Sequence, residues 1–375
     1  MRAPGRVNLI GEHIDYCDLA VLPMAIQRDL RVDFRPREDD LVRLANTNAA
    51  HGPVEFRLSS PIEPAPQGHW SNYVRAAAEH GARELGLTAG MDAVIDGNIP
   101  EAAGLSSSSA LLVGSMLALL AANSRPLGRL ELALRCAQAE RFVGTHSGGM
   151  DQAACLLAQE GAALRVEFAP LAARPIPLPA DWRFVIADSL RVADKSGSLR
   201  ESYNARRGAS EQALARLLAD EGRSDAAGGW RGLFARHSPE EVLRRAERVL
   251  EGELLRRARH VIRESARVES ATSAMLAADA ATFGALMDAS QASLREDCEV
   301  STAELDLLCG IARRHGALGA RLTGAGLGGS IVALVLEARA ETVLEALAEN
   351  YFAERLPARE LRHHLMLARP SQGAS

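Results

Sequence analysis

Three things are scarce in this 375-residue chain, and each scarcity removes a class of protein. Cysteines number five (Cys17, Cys136, Cys155, Cys298 and Cys309), an odd count with no C-x-x-C spacing. Neither a disulfide framework nor a structural zinc site is indicated, and a reduced, cytoplasmic setting is expected. An excess of basic residues is missing as well: the formal net charge is −5 and the isoelectric point about 6.1. Such a chain has no overall attraction for nucleic acid or an anionic membrane, so neither is expected as a partner. Long apolar runs are absent too. The longest, Ala110–Ala122, contains Gly114 and Ser115 and is too short to span a bilayer. The N-terminus has no charged-then-apolar signal pattern, and no internal repeat or low-complexity tract is found. What remains is 47% hydrophobic and 24% charged, an ordinary globular composition with enough length for two cores.

The stretch around which the chain is organised is Ile99–Ala110, I-P-E-A-A-G-L-S-S-S-S-A. It follows an expected strand, Ala93–Asp96, and runs into an apolar helical pattern, Leu111–Ala122. A helix start offers unpaired N–H groups and the positive end of a dipole. Small residues let a phosphate approach that backbone closely. Ser106–Ser109 add hydroxyls that can touch phosphate or ligate a metal, and they fit equally well as caps of an ordinary helix.

Other segments carry chemistry of their own. Strands are expected at Val7–Ile10 and Val21–Ile26, with a polar loop holding Glu12, His13 and Asp15 between them. Trp70–Leu85 has helical spacing, and Trp70 could stack on a ligand ring or simply fill the core. A second helix is expected over Leu127–Val143, with Glu140 near its C-terminal end, where a negative charge opposes the helix dipole and invites a partner such as a metal ion. In G-T-H-S-G-G-M-D-Q, Asp151 stands at the start of an apolar helical segment, where it also fits as an N-cap. Strands are expected at Ala162–Phe168 and Phe184–Ala187, linked by the proline-rich Pro170–Pro179. Lys195–Gln212 reads as a polar helix, Gly228–Gly232 as a loop, and Glu240–Glu269 as one amphipathic helical region. Phe283–Leu294 and Ala303–His315 are further helices. Four glycines between Gly324 and Gly329 precede a buried-type strand, Ile331–Val335. This loop lacks the Lys-Ser/Thr of a Walker loop and leads into a strand instead of following one, so it is no ordinary P-loop.

Taken in order, three separate motifs resemble those of the galactokinase branch of the GHMP small-molecule kinases. They are G-R-V-N-L-I-G-E-H-I-D-Y (Gly5–Tyr16), the Ile99–Ala110 serine loop, and R-L-T-G-A-G-L-G-G-S (Arg321–Ser330). G-G-M-D-Q and S-Y-N-A-R-R (Ser202–Arg207) match as well, so the resemblance covers nearly the whole chain. It implies an α+β, two-domain GHMP kinase fold with the active site between the domains. Residues 1–178 would form a ribosomal-protein-S5-domain-2-like α/β domain, and 179–375 a ferredoxin-like domain. It also implies ATP-dependent phosphorylation of the anomeric hydroxyl of a galactose-type sugar, with Mg2+ as cofactor, by a monomer. Asp151 matches the catalytic base and Arg6 the arginine that stabilises its charged state, so positioning would matter more than basicity. Ser108 and Glu140 match magnesium ligands, both hard oxygen donors. Glu12, His13, Ile14, Asp15, Gly148 and Tyr203 match the sugar site. Ala102, Ala103, Gly104, Leu105, Ser106, Ser107 and Ser108 would hold the phosphates, and Trp70 would lie against adenine.

The chain departs from the pattern in two places. It begins almost at its first motif, whereas relatives carry a leading segment. S-G-G-M-D-Q replaces the C-G-I-M-D-Q common in bacterial galactokinases; with L-A-N-T-N (Leu44–Asn48) it looks more like the N-acetylgalactosamine kinase and plant galactokinase branch. Gly149, smaller than isoleucine, would leave room for a 2-acetamido group. Tyr203 is the galactokinase-type residue where acetamido-sugar enzymes carry phenylalanine. Galactose is the expected acceptor, with N-acetylgalactosamine the alternative. A non-catalytic sugar- and ATP-binding sensor would have no need of the base.

Overall fold

The first hundred residues form a five-stranded sheet, buried on both faces along its first strand and alternating between buried and exposed side chains along its last in sequence. Its strands are β1 (Arg2–Asn8), β2 (Pro23–Pro36), β3 (Leu41–Asn46), β4 (Val54–Arg57) and, after helix α1 (Asn72–Leu85), β5 (Met91–Gly97). The order is β1-β2-β5-β3-β4, antiparallel except where β3 runs parallel to β5. The computed structural model describes residues 1–59, 61–191, 198–223 and 228–375.

On this sheet lie α2 (Ser107–Ala122) and α4 (Met150–Leu157), and α3 (Arg129–Ala139) packs on α4 and α1. Helix α2 is apolar around its whole circumference because the sheet, α1 and α4 cover it on all sides. The expected helix over Leu127–Val143 is thus α3 followed by a 3-10 turn, Glu140–Val143. Strands β6 (Ala162–Glu167) and β7 (Ala172–Pro177) make a separate hairpin. The proline-rich segment read as a linker is therefore partly strand.

A second sheet, order β11-β8-β10-β9, is antiparallel throughout. It contains β8 (Trp182–Asp188), β9 (Gly319–Thr323), β10 (Ser330–Leu336) and β11 (Leu365–Ala368). Both of its faces are buried: β8 sends Phe184 and Ile186 into the core shared with the first sheet, and Val185 and Ala187 into a second core. The 178/179 boundary read from the sequence falls in the short connection between β7 and β8.

The helices of this half are α5 (Ser198–Asp220), α6 (Gly229–Phe234), α7 (Pro239–Val249), α8 (Gly252–Leu276), α9 (Ala280–Glu296), α10 (Ala303–Arg314), α11 (Glu337–Leu347) and α12 (Leu361–His364). The expectation of a helix from Lys195 begins in residues outside those described; from Ser198 the helix is present. Glu240–Glu269 is two helices, not one. A Ser238–Glu241 capping box starts α7, and the chain extends at Leu250 and Glu251 before α8. The Gly228–Gly232 loop is replaced by the short α6.

The last residues return to the first sheet. Ser371 N–H donates to Ala25 O (3.0 Å), and Ser375 and Arg2 exchange backbone hydrogen bonds of 2.9 and 2.7 Å. Ala374 N–H donates to Cys155 O (2.7 Å) and Gly373 N–H to Ala158 O (2.9 Å), which satisfies carbonyls at the C-terminal end of α4.

Candidate active site

The serine loop connects β5 to α2 through two residues with left-handed backbones, Ala102 (φ 58°) and Ser106 (φ 59°). No serine side chain caps α2. The capping reading therefore gives way, and the amides at the start of the helix are left for an anion. The hydroxyls have other partners. Ser106 Oγ donates to Asp151 Oδ2 at 2.6 Å. Ser109 Oγ lies 3.3 Å from Glu140 Oε1 and 3.5 Å from Asp151 Oδ2, between two carboxylates that its single proton can serve only one at a time.

Asp151 occupies the first turn of α4, behind Gly149 at the cap. Its Oδ1 accepts from Arg6 Nε (2.7 Å) and Nη2 (2.6 Å), while Arg6 Nη1 donates to Gly104 O (2.7 Å). The Arg6 side chain is 5% exposed and that of Asp151 24%, so the cation lies beneath and the carboxylate opens to the cleft. Burial alone would weaken the charge on Arg6; Asp151, Glu12 and Asp15 reverse that and raise its pKa.

The sugar-motif loop lies beside this pair. Asp15 Oδ2 accepts from Gly148 N–H at 3.0 Å, and Tyr203 Oη sits 3.5 Å from Asp15 Oδ1. A Cβ on Gly148 would fall 2.2 Å from the Asp15 carbonyl, so only glycine allows this approach. Burial, helped by the charge of Asp151, pushes the Asp15 carboxyl up to about 6. Burial, the neighbouring His260 ring and the positive charge of Arg206 push His13 down to about 3, so its imidazole is neutral. His13, Tyr16 and Tyr203 form an aromatic trio with centroids 5.3–5.9 Å apart.

Glu12 is 2% exposed. Its carboxylate accepts from Arg321 Nη2 (3.2 Å), from Asn8 Nδ2 and from the backbone N–H of Gly324. Burial raises its pKa against the pull of Arg321.

Glu140 is also buried, and its pKa is raised by burial and by Asp151. Ser147 Oγ donates to its Oε2 at 2.6 Å, and among the described residues it has no ion pair. A buried carboxylate met by the hydroxyls of Ser109 and Ser147 and the amide of Gln152, with no ion pair among the described residues and facing a second carboxylate, fits a hard divalent cation. Ser108, hydrogen-bonded to Tyr73, lines the same space. Among the described residues no cluster of three metal-ligating side chains is present. Mg2+ needs none, because it keeps waters and takes one or two carboxylates with substrate phosphate oxygens.

Most of these groups line one cleft of about 860 Å³, with Asn8, Tyr16, Ser109, Gly148 and Arg321 outside its lining. Its far end is formed by Trp70, which contacts the rings of His51 and His69 with centroids 5.8 and 6.1 Å away. The structure thus brings together Arg6, Glu12, His13, Asp15, Trp70, Ala102, Gly104, Leu105, Ser106, Ser107, Ser108, Glu140, Asp151 and Tyr203. Ala103 does not line the cleft; its carbonyl accepts from Ser330 Oγ (2.7 Å) and ties the serine loop to the glycine loop. Gly148 acts on the site through Asp15.

Two further expectations change. Ile14 is fully buried in the core and does not line the cleft, so its side chain is structural. Gly149 faces Ala137 of α3, where a Cβ would lie 3.0 Å from that of Ala137, and it does not line the cleft. Its small size opens no room for an acetamido group. Residues the sequence did not single out are Asn8, Tyr73, Ser147 and Arg321. Ser147 had a visible signal, since it lies in the segment that carries Asp151.

The three motifs, the paired sheets and the phosphate loop at a helix start define a small-molecule kinase. Family models agree: GHMP kinases N terminal domain matches residues 72–159, GHMP kinases C terminal matches 271–353, and the galactokinase galactose-binding signature matches 1–36. A galactokinase of Chloroflexus aurantiacus is 38% identical over 353 residues, covering 93% of this chain and 87% of that protein. The crystal structure of Lactococcus lactis galactokinase complexed with galactose superimposes with a TM-score of 0.88 at 30% identity, covering 100% of this chain and 94% of that one. The Methanococcus jannaschii mevalonate kinase structure shares the fold, with a TM-score of 0.65 at 19% identity over 99% and 98% of the two chains. The chain belongs to the galactokinase family of the GHMP kinases.

Proposed function

We propose that the chain transfers the γ-phosphoryl group of ATP to the anomeric hydroxyl of galactose, with Asp151 as the base. One observation carries this reading: a carboxylate fixed by Arg6 and Ser106 stands where the sugar-motif loop and the serine loop meet in one cleft. The sugar hydroxyl gives its proton to Asp151 as its oxygen bonds to the γ-phosphorus, and the bond from that phosphorus to the ADP oxygen breaks. The products are sugar 1-phosphate and ADP. Arg6 holds the base in place through two nitrogens and ties it to the serine loop at Gly104 O. The amides at the start of α2 receive the phosphates, and Trp70 offers a face to the adenine. Glu140 and Ser108 would hold Mg2+, which when bound neutralises phosphate charge. His13, Asp15 and Tyr203 would read the sugar hydroxyls, because a misplaced hydroxyl leaves buried groups unpaired.

Galactose is favoured over N-acetylgalactosamine because Tyr203 lines the cleft and Gly149 does not. The catalytic unit is proposed to be a monomer. Five free, buried cysteines support a cytoplasmic setting. Among the described residues no helix is long and apolar enough to cross a membrane.

The test is ADP release from Mg-ATP with galactose, N-acetylgalactosamine, glucose and mevalonate in parallel. Galactose should be preferred. Asp151→Asn should abolish turnover while galactose binding stays within a few-fold; undiminished turnover would remove Asp151 from the role of base. Galactose bound without turnover in the unaltered protein would favour the sensor.

A further inference from the structure

The loop that carries Glu12, His13 and Asp15 rests on a buried polar bed built by residues more than two hundred positions away. Asn8 N–H donates to Thr323 Oγ1 (2.9 Å), and Arg321 Nη1 donates to Asn8 O (2.8 Å). Gly11 N–H donates to Glu264 Oε1 (2.9 Å), and His260 Nε2 lies 2.9 Å from Glu12 O. That carbonyl can only accept, so His260 carries its proton on Nε2. In this bed Arg321 lies behind the cleft and touches Glu12, which lines it. It has no solvent exposure, and its guanidinium holds both the Glu12 carboxylate and the carbonyl of Asn8, one on each side of the turn that begins the loop.

We propose that Arg321 is a positioning residue for the acceptor-sugar subsite, fixing Glu12 and through it the loop that presents His13 and Asp15. The inference rests on the reading that this loop holds the sugar. Its physical basis is the asymmetry of buried charge. A guanidinium sealed from water is stabilised by its carboxylate and carbonyl partners, and the carboxylate by its donors. Each fixes the other in one geometry. Lysine keeps the charge, but its three N–H donors radiate from one nitrogen and do not reproduce the grip of Nη1 on Asn8 and Nη2 on Glu12. The loop would then keep its backbone ties to Thr323 and Glu264 and lose the clamp across its turn. The consequence falls on the sugar, because Trp70 and the start of α2 lie outside this bed.

The experiment compares Arg321→Lys, Glu12→Gln and the double variant in the full chain. It measures KM for galactose and for ATP, kcat, galactose affinity by calorimetry, and Tm. Arg321→Lys should raise galactose KM and Kd by about tenfold or more, with ATP KM within about twofold. The double variant should be no worse than the more damaging single one, because the two residues act as one unit. Galactose affinity unchanged in Arg321→Lys overturns the proposal, as do galactose and ATP KM rising together in step with lost Tm. So do losses that simply add in the double variant. If the unaltered protein binds no galactose, the sugar reading fails instead, and the two failures are distinguished. Should Arg321→Lys not fold, Thr323→Val removes the neighbouring tie to Asn8. It should weaken galactose about threefold and leave ATP unchanged, and equal effects on both ligands overturn the proposal.

Discussion

Arg6 and Asp151 share a forked contact: two guanidinium nitrogens, Nε and Nη2, lie 2.7 and 2.6 Å from one carboxylate oxygen, Oδ1. The third nitrogen holds Gly104 O at 2.7 Å, so one planar group sets the distance between base and phosphate loop. Arg6→Lys keeps the charge and loses the fork. Expected is a fall in kcat of roughly 10–100-fold, about 1.4–2.8 kcal/mol of transition-state stabilisation, with galactose KM within a few-fold. Steady-state kinetics check it, and an unchanged kcat would show that charge alone suffices.

Asp15 predicts a pH dependence. Its folded value of about 6 lies above the ordinary 3.8, mainly through burial and then through Asp151. A raised carboxyl contributes stability that is fully present below the ordinary value and lost as pH rises through about 6. Asp15→Asn should therefore raise Tm at pH 8 relative to the unaltered protein, by up to about 3 kcal/mol in stability, and give much less gain at pH 4. On the proposed reading sugar binding moves the other way, because ionised Asp15 would accept hydrogen bonds from the sugar hydroxyls. The kcat/KM for galactose should fall below about pH 6 in the unaltered protein. The same fall persisting in Asp15→Asn would place its origin elsewhere.

Glu140→Gln keeps the volume and the contacts to Ser109 and Ser147 but removes the charge. The Mg2+ concentration for half-maximal rate should rise by about tenfold or more. A Mg2+ titration that superimposes on that of the unaltered protein would dismiss Glu140 as a ligand.

Gly149 has φ 97° and almost touches Ala137, so Gly149→Ala should cost roughly 1–2 kcal/mol of stability, visible as a lower Tm. The preference between galactose and N-acetylgalactosamine should not change. Tyr203→Phe should do the opposite, sparing Tm and hurting galactose use more than N-acetylgalactosamine use. Equal losses on both sugars would remove Tyr203 as a source of preference.

What the sequence shows of the site is what chain neighbours build. The serine loop, the E-H-x-D turn and the helix start at Asp151 each lie within a dozen residues, so composition and spacing announce them. The links between them span 98 residues from Arg6 to Gly104, 145 from Arg6 to Asp151 and 309 from Arg321 to Glu12, and no local pattern encodes those. Side-chain direction was the other gap. Ile14 and Gly149 sit inside functional motifs, yet one points into the core and the other at α3. The fold was legible wherever an element had its own period or cap. It failed where two helices run on with similar composition, as in α7 and α8, and where prolines on an edge strand read as a linker, as in β7.

The serine loop and the glycine loop meet backbone to backbone. A Cβ on Gly104 would lie 2.8 Å from Thr323 O, one on Gly324 2.9 Å from Gly104 O, and one on Gly329 3.2 Å from the carbonyl carbon of Ala103. Neither loop is therefore a module that can be exchanged alone. A chimera that takes residues 99–110 from a relative inherits a surface cut to fit that relative's third motif, and any side chain bulkier than hydrogen at the seam pries the halves of the cleft apart. Moving 320–330 in the same graft restores the match, so the unit of recombination in this enzyme is a pair of segments two hundred residues apart.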